Sequence, residues 1–206
     1  MPVAPLVIAC GALASELRAV LTSQGFADAV EVRYLPANLH NRPERIVPEL
    51  EPLLDEADAQ SRAVFVAYAD CGTGGALDAL LERHPGVTRL PGSHCYEFFS
   101  GSEQFAAIHE EELGTLFLTD FLAKHFEPLL WQGLGLDRHP ELRDLYFGNY
   151  RRVVLISQST SEAVIAAGRS AAERLGLAFE HRHVGFEPFS DVVVQAVSVA
   201  LQRRVA

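Results

Sequence analysis

Apolar positions along this chain switch between the period of a strand and the period of a helix. Residues 3–9 (VAPLVIA) form a continuous apolar run, and residues 12–24 then place Leu13, Leu17, Val20 and Leu21 on one helical face. Gly25 follows where a helix C-terminus favours glycine, so the opening reads as a βα unit with Cys10-Gly11 at its turn. A second strand is expected near 29–34 (AVEVRY). A helix over 44–59 comes next, with Ile46, Val47, Leu50, Leu53 and Leu54 on one side. Pro43 suits its first turn, whereas Pro48 and Pro52 predict a break or a late start. Residues 63–68 (AVFVAY) are apolar throughout, as a parallel strand buried on both faces should be. They run into Asp70-Cys71-Gly72-Thr73-Gly74-Gly75 and a helix over 76–83, and a weaker strand at 87–90 precedes GSHCYE.

The stretch 98–150 departs from this alternation. It is rich in aromatics, among them Phe98, Phe105, Phe117, Trp131 and Tyr146, and reads mainly as helices, clearest over 119–131. Strand 152–156, helix 160–175, strand 177–183 and helix 189–203 follow, with Ser159 and Glu162 spaced as a capping box. The pattern predicts one α/β domain over 1–206: a doubly wound, mostly parallel, Rossmann-like sheet of about five to six strands, with 98–150 as a helical insertion or cap.

The 206 residues suffice for a substantial core, and 49% hydrophobic with 21% charged content is that of a soluble globular chain. A net charge of −10 without any dense Lys/Arg cluster argues against nucleic acid and anionic membranes as partners. The apolar start has no basic flank, is interrupted by Pro5 and Gly11, and is shorter than the ~20 residues of a membrane span. A cytoplasmic protein is expected. Three cysteines at wide spacing do not form a disulfide framework, so reduced thiols are expected as well.

Those thiols are the main candidate chemistry. Cys10, Cys71 and Cys95 each follow an expected strand, so parallel pairing would bring all three to the sheet's carboxyl edge despite separations of 61 and 24 residues. Three thiolates with a fourth ligand or an open position suit zinc, and an iron-sulfur cluster is the alternative. His94, Glu97, His109 and His40 are the candidate fourth ligands. No CxxC occurs, and each cysteine taken alone reads equally as a small buried hydrophobe.

Asp70, His94 and Glu97 are expected to support the ligands or move protons. The backbone of Gly72, Thr73, Gly74 and Gly75 could hold an anionic part of a small-molecule substrate. Ser157 and Ser159 could contact a polar ligand from the same edge. Neither GxGxxG nor a GK[ST] loop is present, so no NAD or ATP site is expected. The absence of GxSxG speaks against a hydrolase nucleophile elbow. The aromatic middle segment would suit a homodimer.

Taken together, ACGALA, LPANLHNRPERI, YADCGTGG, GSHCYEFF and LFLTDFL resemble the bacterial and archaeal family catalogued as domain of unknown function 1638. The resemblance implies a context among corrinoid-dependent methyltransfer systems, and hence a role in one-carbon or methylamine metabolism. A corrinoid protein or a methyltransferase is the partner it implies. It carries no activity, and leaves open whether the chain is a catalyst or an accessory protein.

Overall fold

The computed structural model describes residues 3–203, which divide into two compact units. One holds the described residues up to Phe98 and from Pro188 onward; the other is Phe99–Glu187.

The first unit opens with β1 (Leu6–Cys10), a 3-10 turn over Gly11–Leu13 and α1 (Ala14–Ser23). Gly25, at φ +71°, ends α1 as expected: its own N–H donates to the Thr22 carbonyl, and Phe26 N–H to that of Leu21. Then come β2 (Glu31–Leu35), α2 (Ile46–Ala59), β3 (Val64–Ala67), α3 (Ala76–Leu81), β4 (Thr88–Arg89) and α4 (Cys95–Ser100). Helix α2 takes the late start that its prolines suggested. A 3-10 turn at Pro43–Arg45 leads in, and Pro48 falls in the first turn, where no intrahelical N–H partner is needed.

The four strands are all parallel, in the order β2-β1-β3-β4. On one face Leu6, Ile8, Val64 and Val66 pack with Leu50 and Leu54 of α2 and Leu77 and Leu80 of α3. Each fully buried leucine there contributes about 1.5–3 kcal/mol. Val7, Ala9, Phe65 and Ala67 are equally buried, so the sheet is covered on both faces.

The second unit contains α5 (Ser102–Glu111), β5 (Thr115–Leu118), α6 (Asp120–Lys124), a π-helical turn at Glu127–Trp131 and α7 (Leu142–Phe147). It continues with β6 (Arg152–Ser157), α8 (Glu162–Leu175) and β7 (Ala178–His183), after which α9 (Glu187–Arg203) carries the chain back to the first unit. Strands β5-β6-β7 are parallel. Gly168 lets α8 approach this sheet: a Cβ there would meet Leu155 and Phe179 side-chain carbons at 3.1 Å.

The α/β class with parallel sheets holds, while the single sheet of five to six strands is replaced by sheets of four and three. The 98–150 stretch is helical in large part but also carries β5, so it begins a second α/β unit. The four residues of β5, TLFL, are too few for periodicity to separate strand from helix.

Candidate functional site

The carboxyl edge of the four-stranded sheet collects the thiols. Cys10 is the last residue of β1 and pairs in register with Leu35. Gly11 must be glycine at this turn, because a Cβ would lie 2.8 Å from the Leu35 carbonyl oxygen and 3.2 Å from the Ala37 nitrogen. One residue past β3 lies Tyr68, whose side chain is sealed in the core. Its hydroxyl has no hydrogen-bond partner among the described residues. The Cys10 thiol comes close enough for each group to influence the other without completing a conventional hydrogen bond.

The loop after β3 is organised by a carboxylate. Asp70 accepts from the Thr73 hydroxyl at 2.6 Å and from the Gly74 and Gly75 amides at 3.1 and 2.9 Å. Burial pushes this carboxyl up, but the Thr73 hydroxyl and the Gly75, Gly74 and Gly72 amides together outweigh it and hold it below the usual range. The glycine-loop amides expected to receive an anion are thus engaged by the chain's own aspartate. Among the described residues only Ser61 and Cys71 combine a side chain beyond glycine with positive φ, +50° in each case. Such left-handed strain concentrates at functional sites.

The segment after β4 is laced to this loop. Asp70 N–H donates to the Gly92 carbonyl at 3.1 Å and Cys71 N–H to that of Ser93 at 2.9 Å. Glu97 accepts from the Ser93 amide at 2.9 Å, and its carboxylate occupies the space a Cβ on Gly92 would need. Arg89 forks onto Asp78 at 2.6 and 3.0 Å and donates to the Leu90 and Gly92 carbonyls at 2.7 and 3.2 Å. Asp70 and Glu97, expected to act on ligands, both spend contacts on backbone: Asp70 on the loop that carries Cys71, and Glu97 on the segment that leads into Cys95. Cys95 begins α4 and does not lie in a loop.

All three thiols are free and half-buried. Burial pushes Cys10 up, against smaller opposing contacts from the Ala12 backbone and Tyr68. Burial, then the neighbouring Cys10, raises Cys71 to about 12, although backbone groups of Ala69 and Cys95 oppose this. Cys95 is pushed well above its ordinary value by burial, then by Cys71 and Cys10. Cys71 and Cys95 therefore resist ionisation partly because of neighbouring thiols, which places the three within electrostatic reach of one another. His40 belongs to the same neighbourhood: burial, then His94, lowers its pKa. Tyr68 is raised by burial, then by Cys10 and Cys71. As their side chains stand, no three His, Cys, Asp or Glu residues among those described are set to grip one metal ion.

The remaining candidates lie in the second unit. His109 is on α5, stacked on Phe105 with ring centroids 6.0 Å apart. The Ser157 hydroxyl is 2.7 Å from His181 Nε2. Ser159 is not the helix cap; its hydroxyl donates to Asp120 at 2.5 Å, and Ser161 occupies the cap position of α8 without a side-chain bond. Tyr68 and Asp120 escaped the sequence reading.

The family described as "Protein of unknown function (DUF1638)" matches residues 34–193, a span that includes Cys71 and Cys95 and begins after Cys10. No curated protein and no solved structure matches the chain.

Proposed function

We propose, from the premise that this chain belongs to the family described as "Protein of unknown function (DUF1638)", that it is a cytoplasmic thiolate metalloprotein whose ligands are Cys10, Cys71 and Cys95. Zinc is the first metal and an iron-sulfur cluster the alternative. The observation that carries this reading is the convergence of all three cysteines at one sheet edge, where Cys10 raises the pKa of Cys71 and both raise that of Cys95.

The donor set fits such a group chemically. Three neighbouring thiols that oppose one another's ionisation become mutually compatible once a cation supplies the missing positive charge. The sealed Tyr68 hydroxyl, without a protein partner, offers a further polar contact to whatever the thiols hold. The metal, when bound, would polarise a substrate oxygen or keep a substrate thiol ionised.

The chain's own residues have separable tasks. Asp70 fixes the loop that carries Cys71, and Glu97 the segment that leads into Cys95 at the start of α4. His40 and His94 are the groups able to move protons beside the thiols, and His40 stays neutral because burial and His94 disfavour its charged form. The implied setting is one-carbon or methylamine metabolism, with a small-molecule substrate and a corrinoid protein or methyltransferase as partner.

A second reading, a noncatalytic accessory protein with packing cysteines, draws on the exposed Leu145 and Tyr146 of α7, which would suit docking. Titration of the reduced protein with Co(II) separates the two. Intense sulfur-to-cobalt charge transfer, weakened by Cys→Ser change at each of the three positions, supports the metal site; its absence supports the accessory reading.

A further inference from the structure

The second unit contains a polar cluster that the thiol site leaves unused. At the carboxyl edge of its sheet, Asp120 is buried and hydrogen-bonded. It accepts from the Gln158 amide at 3.3 Å, the Ser159 amide at 3.2 Å and the Ser159 hydroxyl at 2.5 Å. These bonds fix the backbone immediately after the central strand β6. The Gln158 side chain that this backbone carries is 97% buried, since only 3% of its surface is exposed. Neither its carboxamide oxygen nor its nitrogen has a hydrogen-bond partner among the described residues.

Burying an unpaired carboxamide is costly, and an apolar side chain of similar shape would relieve that cost. Such an arrangement is expected where a group is kept for a ligand instead of for stability. The surroundings define the ligand's chemistry. Asp120 already accepts from three donors, and Ser157 is paired with His181 at 2.7 Å. Arg182, near the end of β7, is engaged by Glu111 and Glu180, and Arg152, at the opposite end of β6, is held by the same two carboxylates. Neither arginine is therefore free for an anionic ligand. What the cluster offers is one donor and one acceptor on a single planar group. Solvent reaches the neighbouring positions, because Ser159 is half-buried and Thr160 and Ser161 are exposed. Ser161 also leaves the start of the 14-residue α8 without a side-chain cap, which favours a carbonyl oxygen nearby.

We propose that Gln158 is the recognition residue of a second binding site, at the carboxyl edge of the three-stranded sheet, for a neutral ligand bearing an amide or lactam edge, its N–H beside its C=O. The two groups would meet through a pair of complementary hydrogen bonds.

The test is a nuclear magnetic resonance titration of the full-length protein with 2-piperidone, a lactam, and with N-methyl-2-piperidone, which lacks the donor. A Gln158→Met variant identifies the side-chain signal and serves as the control. Expected are saturable shifts of the Gln158 side-chain NH2 with 2-piperidone, at least tenfold weaker response to the N-methyl compound, and loss of binding in Gln158→Met. The ligand-free variant should also melt higher, by about 2–4 °C if ~1 kcal/mol of unpaired burial is relieved. Equal responses to the two probes, or no response of Gln158, overturn the site. A lower melting temperature for Gln158→Met also overturns it, by showing that the amide already has a partner in the ligand-free protein.

Discussion

The Cys71 sulfur lies against the backbone of Cys95, a residue 24 positions further along the chain. Parallel pairing of β3 and β4 brings the two loops together, and the Cys71 amide fastens them by donating to the Ser93 carbonyl. With Cys10 at the end of the adjacent β1, the arrangement makes one thiol neighbourhood from three remote sequence positions.

Replacing Cys71 by glycine should remove a metal ligand without harming the fold. The residue sits at φ +50°, where an L side chain costs about 1–2 kcal/mol that glycine avoids. The expected outcome in chemical denaturation of the metal-free proteins is equal or greater stability for Cys71→Gly. A large loss would mean that the packing of the Cys71 side chain against the core outweighs the relief of strain.

Gly11→Ala should do the reverse and destabilise the turn that carries Cys10. The added methyl would press on the Leu35 carbonyl and Ala37 nitrogen, which are backbone atoms that cannot swing aside. A loss of about 1–3 kcal/mol is expected in urea unfolding.

The thiols predict an alkaline limit to the stability of the metal-free protein. Their folded pKa values are raised above the ordinary 9.0, so the folded state retains protons that the unfolded state gives up. Their contribution is intact below pH 9 and is lost as pH rises toward about 12, the value for Cys71. Cys71→Ser should flatten the fall of melting temperature with pH in that window. Metal affinity should move oppositely, strengthening up to ~tenfold per pH unit for each thiol that must release a proton.

Asp70 should mark the acid limit. Its carboxyl is held below the ordinary 3.8, so its stabilisation is present above that pH and fades as pH falls through the lower folded value. Asp70→Asn should lower neutral-pH stability by about 1–2 kcal/mol and make the acid limb shallower. A catalytic carboxylate that left the fold unaffected would show neither change.

Much of the first unit was legible because its signals are local. The apolar run before Cys10, the Gly25 helix stop and the continuous β3 segment each determine structure within a few residues. Division into two sheets was not legible, since periodicity does not encode strand order, and β5 is too short to stand out among aromatic helices. Ser159 misled for a related reason: its capping-box spacing is correct, but Asp120, 39 positions earlier, takes its hydroxyl. The thiol neighbourhood could be anticipated from strand-end positions. Tyr68 could not, because a tyrosine closing an apolar strand looks like one more core residue until its hydroxyl is seen without a partner.

The most direct test of the central claim is the metal content of anaerobically purified protein, measured for the wild type and for Cys10→Ser, Cys71→Ser and Cys95→Ser. Zinc, or iron with sulfide, at one site per chain, falling sharply in every one of the three variants, is the predicted result. Wild-type protein that carries neither metal, or metal content unchanged in all three variants, would contradict it.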